Sequence, residues 1–363
     1  MKIFGSPSRY CQGRGILDRM GEILNSFGSR FFILADQIVL PLVQERIRKS
    51  LETSRKIPIF EIFRGECSYP EISRLKSKAE ESNAQVIVGI GGGKAIDAAK
   101  ALNIQLNLPV VILPTIAASD ASGTHAVVVY DENHVKLETI HMREGISFIL
   151  VDTEIIAQAP TRFLLAGMGD ALSTKFEAEA CWKSGAKNLF GAEPSQIALP
   201  LGQLAYDIIR EYGEEAKASA DRKEVTPALE KVIEANLLLS GLGGAAGGIA
   251  AAHAIYSGFT LIEEMRHSLH GELVAFGVLA QLVLENRDSH FITDLIRFYK
   301  RVGIPATLEQ LGLRELNMKK IEIAANKVCE KGSFIYNMPF KVDQPMVMEA
   351  IRKANSLAKD AKV

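Results

Sequence analysis

Gln85-Val86-Ile87-Val88-Gly89-Ile90-Gly91-Gly92-Gly93-Lys94-Ala95-Ile96-Asp97 is the stretch whose reading decides the fold. Gln85 to Ile90 has the apolar run of a buried strand. Ala95, Ile96, Ala98, Ala99, Ala101 and Leu102 give the composition of a helix packed on a sheet. Three consecutive glycines between them let backbone N–H groups approach a ligand with no Cβ in the way. A strand, a glycine turn and a helix N-terminus together make an anion site, from free N–H donors and the positive end of the helix dipole. Two familiar phosphate loops do not fit. The third glycine of G-x-G-x-x-G falls on Lys94, and a Walker A loop needs Gly at Val88 and Ser or Thr at Ala95. A plain tight turn also uses glycines. Lys94 and Asp97 in the first helical turn point toward phosphate or pyrophosphate.

Working outward, Arg30–Asp36, Ile57–Phe63, Pro109–Pro114, Ala126–Tyr130 and Ser147–Asp152 read as further strands, and Tyr69–Ser82 as a helix. Val- and Ile-rich strands separated by helices predict a mostly parallel sheet covered on both faces. After Asp152 the pattern turns helical, rich in Ala, Leu, Glu and Lys. The expected division falls near Ala159-Pro160: an α/β nucleotide-binding half over residues 1–160, an all-α half over 161–363, and a ligand cleft between them.

Composition narrows the class. The 42 basic and 43 acidic residues nearly cancel, and no basic stripe marks a nucleic-acid or anionic-membrane partner. Cys11, Cys67, Cys181 and Cys329 form no C-x-x-C pair and read as reduced thiols, so a cytoplasmic protein is expected. Ala235–Ile262 lacks Asp, Glu, Lys and Arg. Its glycines and alanines make it a close-packed core helix in preference to a membrane span.

Three places carry candidate chemistry. Asp36 ends the first long strand, where a carboxylate either binds the adenosine ribose, favouring NAD over NADP, or simply sits in a turn. Pro114-Thr115-Ile116-Ala117-Ala118-Ser119-Asp120 leaves a strand's carboxyl end, where open sheets bind ligands. Thr115 and Ser119 offer hydroxyls, and Asp120 could bind a substrate hydroxyl; all three are also ordinary turn formers. Asp170, His253 and His270 form the third set. A histidine among alanines needs partners for its ring nitrogens, and metal ligation is one solution. One carboxylate and two imidazoles leave a position open, as in catalytic zinc sites, with His267 an alternative to His270.

Taken together these motifs resemble the glycerol/polyol branch of the metal-dependent ("iron-containing") alcohol dehydrogenase family. The anchors run in order through most of the chain: GIGGGKAIDAAKA (89–101), PTIAASDA (114–121), ILVDTEIIAQAP (149–160), LAGMGDALSTKFEAEA (165–180), VTPALEKVIEANLLLSGLG (225–243), AAAHAIYSGFT (250–260) and LHGELVAFG (269–277). The resemblance implies a dehydroquinate synthase-like, group III alcohol dehydrogenase architecture and homo-oligomerisation. It implies NAD at Asp36, Gly92, Gly93, Lys94, Asp97, Thr115, Ala118, Thr124, Ala126 and Tyr130. It further implies a divalent metal, zinc or another such as Fe²⁺, on Asp170, His253 and His270, with Asp120 binding substrate. The implied reaction is oxidation of a secondary hydroxyl of glycerol, or of a related small polyol, to the ketone. Other small diols, amino alcohols and 2-hydroxy acids are alternative substrates. A dehydroquinate synthase-type cyclase would need a basic phosphate cluster, yet Arg266 is the only Arg or Lys between Ala250 and Leu279. A nucleotide-binding descendant without turnover would have no need of the triad.

Departures from the family pattern gather around the implied pocket. Tyr256 stands where A-H-A-I-H-N-G has its second histidine. Gly243-Gly244-Ala245-Ala246-Gly247-Gly248 replaces G-F-E-S-G-G. Gly123-Thr124-His125 follows an otherwise familiar loop, and Tyr336 replaces a histidine.

Overall fold

The computed structural model describes residues 1–131 and 136–362. Its strands are β1 (Tyr10–Gly13), β2 (Arg30–Asp36), β3 (Ile57–Phe63), β4 (Val86–Gly91), β5 (Val110–Pro114), β6 (Ala126–Tyr130), β7 (Lys136–His141) and β8 (Phe148–Asp152). Six of them form one sheet in the order β1-β8-β5-β4-β2-β3, every neighbouring pair parallel. β4, β5 and β8 are buried along their whole length, which is why they read as unbroken apolar runs.

Helices α1 (Met20–Ile23), α2 (Leu40–Thr53), α3 (Tyr69–Glu81) and α4 (Gly93–Leu106) fill the crossovers of this half. Ser68 starts α3 by accepting from the Glu71 N–H, with Pro70 in the first turn. β3 lies outside β2 while β4 returns to its other side. The laying direction therefore reverses between β2 and β4, and a crevice opens at their carboxyl ends. Asp36 ends β2 and the glycine turn ends β4, so both stand at that crevice.

Beyond Asp152 the chain is helical: α5 (Thr153–Gln158), α6 (Thr161–Ser184), α7 (Ala198–Asp221), α8 (Pro227–Glu234), α9 (Ser240–Gly247), α10 (Ala251–Phe259), α11 (His270–Leu284), α12 (Ser289–Val302), α13 (Met318–Val328) and α14 (Gln344–Asp360). α6 and α11 are buried on nearly all sides and form the centre. The charge-free stretch becomes a π-turn (Ala235–Leu239), α9 and α10, bent by 105° before α10. Among the described residues no single helix is long and apolar enough to cross a membrane; the bent pair meets that test only by length and composition, and its residues are largely buried.

One apolar layer, with Phe31, Ile33, Val43, Ile47, Val88 and Leu150, lies under α2. The other, with Phe32, Leu34, Ile87, Ile112 and Val151, continues without a break into Met168, Leu172, Phe176, Leu279 and beyond.

Two features depart from the sequence reading. β6 does not join the parallel sheet; it pairs antiparallel with β7 as a separate hairpin, tied down by the Tyr130 N–H on the Cys67 carbonyl (2.9 Å). β1 and β7 carry no apolar signature, because β1 is a half-buried Tyr-Cys-Gln-Gly edge and β7 (KLETIH) is mostly exposed.

Candidate metal centre and dinucleotide cleft

Glycines bring the metal-site helices into backbone contact. A Cβ on Gly271 would stand 1.8 Å from the Ala166 carbonyl, and one on Gly169 would stand 2.5 Å from the Gly271 carbonyl, so α6 and α11 touch where Asp170 and His270 sit. Gly277 does the same for α11 and α10, with the Ala252 carbonyl 2.4 Å from its missing Cβ. Three helices thus converge on one point. One ligand atom each from Asp170, His253 and His270 lies within 4.8 Å of the others.

Asp170 Oδ1 is buried and has no hydrogen-bond donor, although His270 Nε2 is 3.2 Å and His253 Nε2 3.6 Å away. His253 Nδ1 lies 2.6 Å from Glu177 Oε2. Glu177 is fully buried and also accepts from the His253 and Ala250 N–H groups. A carboxylate at Nδ1 places the proton there and leaves the Nε2 lone pair facing Asp170. Burial alone pushes Asp170 up, yet the His270 and His253 rings more than offset it and hold the carboxyl well down. Burial likewise pushes His253 down, and Glu177 and Asp170 outweigh it. The centre therefore favours positive charge. An orphaned carboxylate oxygen and two imidazole nitrogens, all convergent, fit a divalent cation such as zinc or iron(II). Side-chain exposure rises from 2% at Asp170 through 18% at His253 to 34% at His270, so the open position faces solvent past His270. His267, the sequence alternative, is exposed and takes no part; its carbonyl accepts from Arg162.

Asp120 joins this centre to the cleft. Its N–H donates to Asp170 Oδ2 (3.3 Å) and its Oδ2 accepts from Ser240 Oγ (3.2 Å). Burial first, then the Asp170 carboxylate, pushes Asp120 up to about 6. Asn236, in the π-turn, donates to the Ala117 and Leu164 carbonyls and so fixes the Thr115–Asp120 loop against α6.

At the glycine turn, Gly91 has φ +140°, a conformation that side chains rarely adopt. Gly92 caps α4 without a side chain, and nothing approaches the Cβ position of Gly93 closer than Ser119 Oγ and Ala121 Cβ at 3.7 Å. Free N–H groups beside an open floor fit a pyrophosphate. Asp36 Oδ1 accepts from the Ile38 and Val39 N–H groups (both 2.8 Å), and Oδ2 is 3.7 Å from where a Gly91 Cβ would stand. Thr115 donates its N–H to the Gly91 carbonyl (3.1 Å). Lys94 pairs with Glu66 (2.6 Å) and lies over the Tyr130 ring (5.2 Å). Asp36, Gly92, Gly93, Lys94 and Thr115 thus gather at the carboxyl ends of β2, β4 and β5, with Lys94 reaching Tyr130 and Ala118 lying on the Thr115–Asp120 loop.

Asp97 is placed differently from the sequence expectation. It is buried, with Oδ2 accepting from the Val128 N–H (3.0 Å) and Oδ1 paired with Lys100 at 2.8 Å. Lys100 is itself fully buried and donates to the carbonyls of Ala121, Thr124 and Ala126. Asp97 thus reaches the cleft through the loop that bears Thr124 and Ala126. Glu177, Lys100, Ser240 and Asn236 were not singled out from sequence. Glu177 carried a usable signal, lying seven residues after Asp170 and so on the same helix face.

A crevice at a sheet switch point and a convergent O/N/N set that fits a divalent cation are together the parts of an oxidoreductase site. The sequence signature of iron-containing alcohol dehydrogenases matches residues 7–153. Glycerol dehydrogenase of Thermotoga maritima is 44% identical over 349 residues, 96% of this chain and 95% of that one. Glycerol dehydrogenase of Citrobacter freundii is 41% identical over 357 residues, 98% of each chain. The crystal structure of a probable glycerol dehydrogenase from Sinorhizobium meliloti superposes with a TM-score of 0.93 at 37% identity, covering 99% of each chain. The chain belongs to the iron-containing alcohol dehydrogenase family.

Proposed function

We propose that the protein oxidises the secondary hydroxyl of glycerol, or of a related small vicinal polyol, to the ketone, with NAD⁺ as acceptor and zinc as the metal. The observation that carries this reading is the orphaned Asp170 Oδ1, facing two imidazoles of which Glu177 fixes one, directly behind Asp120. Asp170, His253 and His270 would hold the metal, which supplies Lewis acidity to the substrate hydroxyl while NAD⁺ supplies the hydride acceptor. The chain's own residues do the rest. Asp36, the glycine turn and the Thr115–Asp120 loop fix the dinucleotide along the crevice. Asp120 accepts a hydrogen bond from a second substrate hydroxyl, which favours vicinal diols and orients the carbinol C–H toward the nicotinamide. Asp36 supports NAD over NADP by repelling a 2′-phosphate. Exposed Ile57 and Ile62 on edge strand β3 support assembly into a homo-oligomer, and four unpaired cysteines support a cytoplasmic location.

The test is NADH formation at 340 nm across diols, simple alcohols and hydroxy acids, with chelator and with zinc returned. Zinc-restored turnover on vicinal polyols that His270→Ala removes, with the far-UV spectrum unchanged, is the expected result. Turnover unaffected by chelator or by His270→Ala refutes the site.

A further inference from the structure

Helix α9 is glycine-rich, and three of its glycines have an evident packing reason. A Cβ at Gly241, Gly243 or Gly247 would stand 2.7 Å from Gly123 Cα, 2.7 Å from Thr174 Cγ2 or 2.6 Å from Ala178 Cβ. Gly244 is different. It is buried, its helical backbone has no positive φ, and the nearest atom to its missing Cβ is Asp120 Oδ2 at 3.8 Å. Packing does not demand glycine here, and glycine inside a helix costs about 1 kcal/mol relative to alanine. What the position provides is space. Ser240 lies one turn earlier on the same face and donates to Asp120, so that face looks onto the Asp120 carboxylate. Tyr256 packs edge-on against His270 with ring centroids 4.3 Å apart, taking the volume beside that ring. Among the described residues, Asp120 Oδ2, at ordinary contact distance, is alone in coming within 4 Å of the Gly244 Cβ position.

We propose that Gly244 opens a side pocket beside Asp120, and that the preferred substrate is a vicinal diol whose carbon chain is longer than glycerol's and extends into that pocket. This rests on the reading of the site as a diol dehydrogenase. The vicinal hydroxyls keep their positions at the metal centre and at Asp120, and the added carbons occupy space that a larger side chain at 244 would fill.

The experiment measures kcat/KM for glycerol, butane-1,2-diol and hexane-1,2-diol with the zinc-loaded wild type, Gly244→Ala and Gly244→Phe, together with the NADH dissociation constant of each. The wild type should favour the longer diols over glycerol. Gly244→Phe should lower the hexanediol-to-glycerol ratio roughly tenfold or more, as expected for methylenes losing their pocket. Gly244→Ala, which adds one methyl at ordinary contact distance and favours the helix, should shift the ratio the same way by less. NADH affinity should stay within about twofold, since the Gly244 Cβ position nears Asp120 and no residue of the glycine turn. A wild type that prefers glycerol, or ratios unmoved in both variants, overturns the pocket and leaves the dehydrogenase reading standing. No turnover by the wild type on any substrate overturns both.

Discussion

Replacing Lys100 by methionine tests how the loop behind the cleft is held. The ammonium is fully buried, 2.9 Å from the Ala121 carbonyl, also bonded to the Thr124 and Ala126 carbonyls, and 2.8 Å from Asp97 Oδ1. Methionine keeps most of the volume and removes every polar contact. Asp97 would keep only the Val128 N–H, as a buried carboxylate with no countercharge. Breaking a buried pair from one side costs about 3–5 kcal/mol, a large share of the roughly 5–15 kcal/mol that holds a protein folded. At roughly 2 °C per kcal/mol for a chain of this size, the melting temperature should fall by roughly 6–10 °C. The sign of the pH effect follows from burial, which already pushes Asp97 up. Without Lys100 its folded value lies further above the unfolded one. The penalty is then full above the folded value and shrinks as pH falls through it and the carboxyl is protonated. Urea unfolding of the wild type, Lys100→Met, Asp97→Asn and the double variant at two pH values measures this. The double variant should recover part of the loss, because the orphaned charge is gone. A Lys100→Met variant that melts within about 2 °C of the wild type at neutral pH would refute the reasoning.

Two further expectations follow from other contacts. Glu177→Gln keeps the shape but weakens control of the His253 tautomer, so zinc affinity in a chelator competition should fall about 10- to 100-fold; unchanged affinity removes Glu177 from the metal centre. His125 stacks on Phe190 (4.1 Å between centroids), faces His141 and Lys100, and is bonded by the Leu189 backbone; burial first, then His141, pushes it down to about 4. Because the unfolded chain takes up this proton first, stability is full above the unfolded value and is lost as pH falls toward 4. His125→Gln should flatten that acid-side loss in urea midpoints, and an unchanged slope refutes it.

The residues that were legible in sequence are those whose chemistry has few uses. Apolar runs located β2, β4, β5 and β8 because burial on a sheet leaves a compositional trace. The Asp170–His253–His270 set stood out because imidazoles among alanines need a reason. β7 was missed because an exposed hairpin strand leaves no such trace. Asp97 was read toward the pyrophosphate from its place in the first helical turn; sequence does not say which way a turn faces, and its carboxylate points to Lys100. Lys100 and Glu177 look like ordinary helix charges until the neighbouring chain is laid against them. Gly244 is indistinguishable in sequence from Gly241, Gly243 and Gly247, and only the geometry separates a glycine forced by crowding from one bordering space.

The unbroken apolar layer from Phe32 through Val151 into α6 and α11 bears on modularity. A chain that reads as a nucleotide half and a helical half invites exchange of the second between relatives. Yet the face of the sheet that α3 and α4 cover, through Ile72, Leu75, Ile96 and Leu102, shares one apolar layer with the helical half. A hybrid joined near Pro160 would have to match two surfaces that fit side chain by side chain. New substrate ranges are therefore more readily reached by point changes beside the metal centre, where the wall borders open volume, than by trading whole halves.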